Sequence, residues 1–110
     1  MTFRFGQDHL TSGKALAIAR GELPTTISAD TLARVEAAHA IVLKVSEGGK
    51  ATYGINTGFG PLCNTRIEAD ATVALQRNLL LSHSVGMGET IGTELTKLML
   101  ILKVHALCQG

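Results

Sequence analysis

Tyr53-Gly54-Ile55-Asn56-Thr57-Gly58-Phe59-Gly60 is the stretch around which the chain is organised. It contains the chain's only tyrosine and three of its twelve glycines. Only Tyr53, Ile55 and Phe59 have side chains suited to filling a core. Glycine reaches backbone angles closed to other residues, at a larger entropy cost on ordering. Three of them around one phenol describe a loop shaped to place a functional group.

Helical patterns flank the loop on both sides. Upstream, Ser28 is a good N-cap and Asp30 stands in the first turn, where the helix dipole favours an anion. Leu32, Val35, His39, Val42 and Val45 then recur at helical spacing. This predicts a helix from about Ala29 to Ser46, ended by Gly48-Gly49, with His39 as a packed or hydrogen-bonded core histidine. Downstream, a segment from about Glu68 to His83 carries a wide apolar face of Val73, Leu75, Leu79, Leu80 and Leu81. Ser84-Val85-Gly86-Met87-Gly88 breaks it. The segment from about Thr93 to Leu107 is apolar nearly all round, as in helices enclosed by a bundle, yet few elements remain to cover it. Nearer the N-terminus, Phe3-Arg4-Phe5 alternates like a short strand. Thr11 or Ser12 can cap a short helix through Ala15-Leu16-Ala17-Ile18-Ala19 that Gly21 ends. Glu22 to Thr26, with Pro24, reads as a linker. The expected fold class is mainly α.

Composition narrows the function. A length of 110 residues suggests one domain. Hydrophobic residues are 45% and charged residues 17% of the chain, against about 25% charged in ordinary domains. The aliphatic surplus points to burial against further chain or other subunits. A net charge of +1 without a basic block argues against nucleic-acid binding and against a polybasic membrane anchor. Cys63 and Cys108 lie far apart, which fits a reducing, cytosolic setting better than a disulfide framework. Met1 to Leu10 has no apolar signal core. The apolar run Leu98 to Leu102 is too short to span a bilayer.

Several chemistries fail on spacing. No Lys follows Gly58 or Gly60 as a P-loop requires, and Cys63 and Ile91 stand where dinucleotide fingerprints need glycine. His105 and Cys108 share a helical face, but no second pair of ligands accompanies them, so they read as a buried thiol and histidine on a core helix. Ser82-His83-Ser84 are sequence neighbours without a nucleophile elbow. Tyr53 remains as a candidate base, although a phenol ordinarily ionises at about pH 10 and needs positive surroundings or donors to serve at neutral pH. His83, at a helix end before a second Gly-rich break, is the other candidate.

The motif from Tyr53 to Gly60 closely resembles the N-terminal signature of the aromatic amino acid ammonia-lyases. The likeness continues through Asn64-Thr65-Arg66-Ile67, Leu75-Gln76-Arg77-Asn78-Leu79, Ser82 to Gly88 and Leu98 to Lys103, and is weakest before Ile27. The pair Ser82-His83 is similar to that of the histidine ammonia-lyase branch, where phenylalanine-selective relatives carry Phe-Leu and tyrosine-selective ones His-Leu. The resemblance implies non-oxidative elimination of ammonia from L-histidine to give trans-urocanate. It implies that Tyr53 is the lid-loop base that removes a β-proton, that Gly60 lines the substrate pocket, and that Ser82 and His83 lie near the substrate imidazole. It also implies a homotetramer and an electrophile, methylidene-imidazolone (MIO), formed from an Ala-Ser-Gly triplet.

These 110 residues contain no Ala-Ser-Gly. Thr11-Ser12-Gly13 superficially resembles a variant triplet, but it precedes Tyr53 and reads as a helix cap. Residues 1–110 are therefore expected to be a single N-terminal fragment of a larger lyase domain, lacking the MIO-bearing and central bundle parts and inactive alone. A non-catalytic helical assembly or binding module, and a related lyase or aminomutase with another substrate, are the alternative readings.

Overall fold

The computed structural model describes the backbone of residues 1–110 and every side chain but that of Ala69. It is mainly helical. The elements in order are β1 (Phe3–Arg4), α1 (Ser12–Ala19), β2 (Thr25–Thr26), α2 (Ala29–Glu47), a 3-10 turn (Gly60–Leu62), α3 (Ala69–His83) and α4 (Thr93–Leu107). Two compact units divide the chain. One holds Met1–His39 and Glu89–Gly110, the other Ala40–Gly88.

The first unit is built on a parallel β1–β2 pair, with Phe3 opposite Thr25 and Arg4 opposite Thr26. Parallel strands need a crossover, usually helical, and α1 supplies it. Thr11 caps α1 as the sequence predicts: its hydroxyl oxygen accepts the Lys14 N–H at 3.3 Å. The segment Glu22 to Thr26, read as a linker, instead contributes β2. Pro24 has no N–H to give, but its carbonyl accepts the Phe3 N–H at 2.8 Å, and the Thr26 carbonyl accepts that of Phe5 at 3.0 Å. A two-residue strand held by partners twenty residues away leaves no local periodicity to read.

Phe3 and Phe5 alternate inward around exposed Arg4, and their rings meet edge to face at 5.4 Å. With Ala15 and Ala19 of α1, Ile101 of α4 and Cys108, they form the core. His105 and Cys108 take the core-side places expected of them. The His105 ring packs against both phenylalanines, its Nδ1 lies 3.3 Å from the Gly6 N–H it accepts, and Cys108 is buried. Polar contacts close the edges. Lys97 Nζ donates to the Ala19 carbonyl at the end of α1, where a cation complements the helix dipole, at 3.2 Å. Arg34 Nη2 donates to the Gly6 carbonyl at 2.9 Å and to that of Cys108 at 3.4 Å. The Arg4 guanidinium hydrogen-bonds the Asp8 carboxylate and, with the Arg4 N–H, holds that carboxyl below the usual carboxylate range. The pair is exposed to solvent, so it adds little stability.

Ser28 caps α2, accepting the Thr31 N–H at 3.2 Å, and the helix runs one residue past its predicted end. Its apolar stripe is another matter. Only Thr31 of α2 is buried, while Leu32 and Val42 are exposed. His39 is exposed too, so the packed or hydrogen-bonded histidine expected there is not found. Spacing identifies a common face but not what covers it. On α4, likewise, Ile101 is buried while Leu95, Met99, Leu100, Leu102 and Leu107 are each more than half exposed. This agrees with a helix apolar nearly all round that has few elements against it.

Candidate active site

The second unit carries all four candidate site residues. It comprises the C-terminal part of α2, the Gly-rich loop, the 3-10 turn and α3. Its loop is organised differently from the expectation that only Tyr53, Ile55 and Phe59 could help fill a core. Asn56 is 0% exposed and Thr57 1%, while Tyr53 is 64% exposed. Polar groups can be buried when their hydrogen bonds are met, and here they are. The Asn56 side chain bonds to the main chain at three residues, and the Thr57 hydroxyl donates to the Gly58 carbonyl at 2.9 Å.

The loop folds back on itself. Thr57 pairs antiparallel with Arg66, the Gly58 N–H donates to the Thr65 carbonyl at 3.1 Å, and the Ile67 N–H donates to the Asn56 carbonyl at 2.8 Å. Gly58 packs where a side chain would lie 2.6 Å from the Leu62 Cβ. The 3-10 turn follows, with Pro61 in its first turn, where a missing N–H costs nothing.

Tyr53 stands at the other end of this loop, on a turn closed by the Ile55 and Asn56 N–H groups donating to the Thr52 carbonyl at 3.1 and 3.2 Å. Its ring meets that of Phe59 edge-on, with centroids 6.0 Å apart. Gly60 follows Phe59 at a φ of +58°, a backbone region that favours glycine, with nothing within 4 Å of the place a side chain would take. The phenol is thus projected to solvent, with its ring against Phe59.

Ser82 and His83 close α3. The Ser82 hydroxyl donates to the Leu79 carbonyl at 3.0 Å and lies 3.1 Å from His83 Nδ1. His83 Nδ1 is 2.8 Å from the same carbonyl. A carbonyl can only accept, so in the contact with Leu79 it is Nδ1 that carries the hydrogen. Both side chains thus turn back onto the main chain of the last turn of α3. The structure therefore joins Ser82 to His83 and sets Tyr53 against Phe59, the residue before Gly60. Among the described residues, no hydrogen bond or ring contact links Tyr53 to the Ser82-His83 pair.

Asn56 is the residue that a search for chemistry-bearing side chains passes over. The available signal was an Asn inside a Gly-rich loop, where its short amide readily bonds nearby main chain. Among the described residues, no group of three or more His, Cys, Asp or Glu is gathered to hold a metal ion.

Residues 10–110 match the family described as aromatic amino acid lyase. The chain is similar to the histidine ammonia-lyase of Pseudoalteromonas atlantica, with 39% identity over 93 residues, 84% of this chain and 18% of that protein. It is similar to the histidine ammonia-lyase of Gloeobacter violaceus, with 42% identity over 95 residues, 86% of this chain and 18% of that protein. It thus spans about a fifth of the length of such curated relatives. Its fold is that of a segment of the tyrosine aminomutase from Streptomyces globisporus, at a TM-score of 0.89 and 22% identity over 100% of this chain and 21% of that one. With nearly all of its length matched by the family's pattern, this chain belongs to the aromatic amino acid lyase family.

Proposed function

We propose that these residues form the base-bearing lid segment of a histidine ammonia-lyase, an enzyme that eliminates ammonia from L-histidine to give trans-urocanate. The observation that carries this reading is the placement of Tyr53. The chain's only tyrosine projects from a turn whose two ends are hydrogen-bonded together, rather than packing into a core. The relatives named histidine ammonia-lyase support the choice of substrate.

In this reading the Tyr53 oxygen takes a proton from Cβ of histidine. The electrons of that C–H bond form the Cα–Cβ double bond as the Cα–N bond breaks and ammonia leaves. Gly60, without a side chain, leaves room for substrate beside the phenol. His83 presents Nε2 to the N–H of the substrate imidazole, and Ser82 holds the His83 ring. Closure of the loop excludes water from the site.

The β-proton is only weakly acidic, so a base alone is insufficient. The family's MIO group supplies an electrophile that makes ammonia a feasible leaving group. The residues of this chain do not fit the formation of that group, because no Ala-Ser-Gly occurs among them. Thr11-Ser12-Gly13 is committed to the start of α1, with Thr11 as its cap. The electrophile must come from outside these 110 residues. We place the chain in a cytoplasmic homo-oligomer, tetrameric by the family resemblance. The unpaired thiols of Cys63 and Cys108 and the exposed aliphatic residues of α3 and α4 support that setting.

These 110 residues alone are expected to form no urocanate from L-histidine, followed by ultraviolet absorbance. Turnover by them alone would overturn the requirement for an external electrophile. In a family-length enzyme carrying this segment, replacing Ser82-His83 by Phe-Leu removes the imidazole partner. Histidine use should fall by about 100-fold, with phenylalanine favoured, since a polar site discriminates strongly by its hydrogen bonds. An unchanged preference between the two amino acids would refute the role of the pair.

A further inference from the structure

A buried amide must find partners for two donors and an acceptor. Those of Asn56 reach the start of one turn, the chain leading into it and the helix before that. Oδ1 accepts the Thr52 N–H at 2.7 Å, and Nδ2 donates to the carbonyls of Lys50 at 3.1 Å and Val45 at 3.3 Å. The main chain repeats the link, with the Asn56 N–H donating to the Thr52 carbonyl at 3.2 Å. Thr52 and Asn56 are therefore joined twice, by backbone and by side chain. The three residues between them, Tyr53-Gly54-Ile55, form the turn that carries the phenol. Val45 belongs to the end of α2, so the same amide ties the turn to a helix. On its other side, the Asn56 carbonyl accepts the Ile67 N–H just ahead of α3.

We propose that Asn56 is the positioning residue for Tyr53: it sets the direction and reach of the phenol by locking the base of its turn onto the end of α2. The catalytic consequence rests on the reading of Tyr53 as the base, whereas the mechanical one does not. Ordinary core duty does not explain the pattern. Thr57 is equally buried one residue on, and its side chain hydrogen-bonds only the carbonyl of the next residue, Gly58. The side-chain bonds of Asn56 go to the residues that lead into the Tyr53 turn and to the helix before them. The glycines then serve the shape of a held loop, and the projecting part is confined to the turn around Tyr53.

Because the chain has one tyrosine and no tryptophan, its intrinsic fluorescence reports on Tyr53 alone. In the 110-residue chain, Asn56→Ala should lower the fluorescence anisotropy by about half, as the ring comes to follow nanosecond loop motion instead of tumbling of the whole unit. Thr57→Val should leave it at the wild-type value, and helicity by circular dichroism should hold in both. Where Asn56→Ala loses helicity, Asn56→Asp takes its place. It keeps the acceptor for Thr52 but sets a carboxylate oxygen against the Lys50 and Val45 carbonyls, so the same direction of change is expected. Wild-type anisotropy in a folded Asn56 variant, or an equal drop with Thr57→Val, overturns the proposal.

In a family-length enzyme, Asn56→Ala should lower kcat by about 100-fold with KM nearly unchanged, the scale associated with a misplacement of about 1 Å. The two readings fail separately. A looser Tyr53 in Asn56→Ala together with an active Tyr53→Phe enzyme would retain the positioning and discard the base. An unchanged Tyr53 signal together with an inactive Tyr53→Phe enzyme would do the reverse.

Discussion

Tyr53→Phe in a family-length enzyme that carries this segment is expected to lose about 10²- to 10⁴-fold in kcat, the range that general-base catalysis contributes. The substitution removes one oxygen and leaves the ring. The edge-on contact with Phe59, at 6.0 Å between centroids, needs only the ring. The turn is closed by main-chain bonds to the Thr52 carbonyl and by the Asn56 amide, neither of which uses the phenol. The loop is therefore expected to stay folded, so that the effect falls on chemistry. KM should move little, because in this reading the substrate is gripped by other groups and the phenol acts in the proton-transfer step. Steady-state kinetics on L-histidine, with the oligomeric state followed by light scattering, checks both halves. Near-normal kcat would remove Tyr53 as the base, and a dissociated enzyme would mean that the hydroxyl serves assembly.

The helices were legible because their ends are written in local chemistry. Thr11 and Ser28 cap α1 and α2 as read, α4 occupies Thr93–Leu107 as read, and Gly48 follows the end of α2. Each signal lies within a turn of the boundary it sets. Two kinds of feature were not legible. The strand β2 exists only through the carbonyls that Pro24 and Thr26 offer to Phe3 and Phe5, and such non-local pairing leaves no periodicity in Thr25-Thr26. The burial of Asn56 depends likewise on three main-chain groups that become its partners only once the loop is folded. Exposed His39 adds a third case, since a helical stripe specifies a face but not its cover. At the candidate site, the roles proposed for Tyr53, Gly60, Ser82 and His83 come from resemblance to a family. Geometry added what resemblance could not, namely the contact of Ser82 with His83 and the anchoring of the Tyr53 turn.

The largest loss of stability is expected at Gly6 and not in the loop. Gly6 has a φ of +76°, and a methyl group there would lie 2.8 Å from the Cys108 Cβ, 3.0 Å from its carbonyl carbon and closer still to its carbonyl oxygen. The obstacle is mostly backbone, which cannot rotate away as a flexible side chain would. Nor can the chain end simply retreat. The Cys108 carbonyl receives Arg34, the Gly6 carbonyl receives the same guanidinium, and the Gly6 N–H is held by His105. Gly6→Ala should therefore cost about 3–5 kcal/mol, combining the strain of an unfavourable φ with overpacking. At this chain length that lowers the melting temperature by about 10 °C or more. Gly21→Ala is the matched control. Its φ of +77° is nearly the same, but nothing lies within 4 Å of the added methyl, so it should show the conformational cost alone, about 1 kcal/mol. Thermal or urea unfolding of the two variants side by side subtracts strain from collision. Equal losses would mean that β1 and the end of α4 do not approach as closely as the core requires. A loss confined to Gly6→Ala would mean instead that close approach, and not backbone angle, reserves this position for glycine.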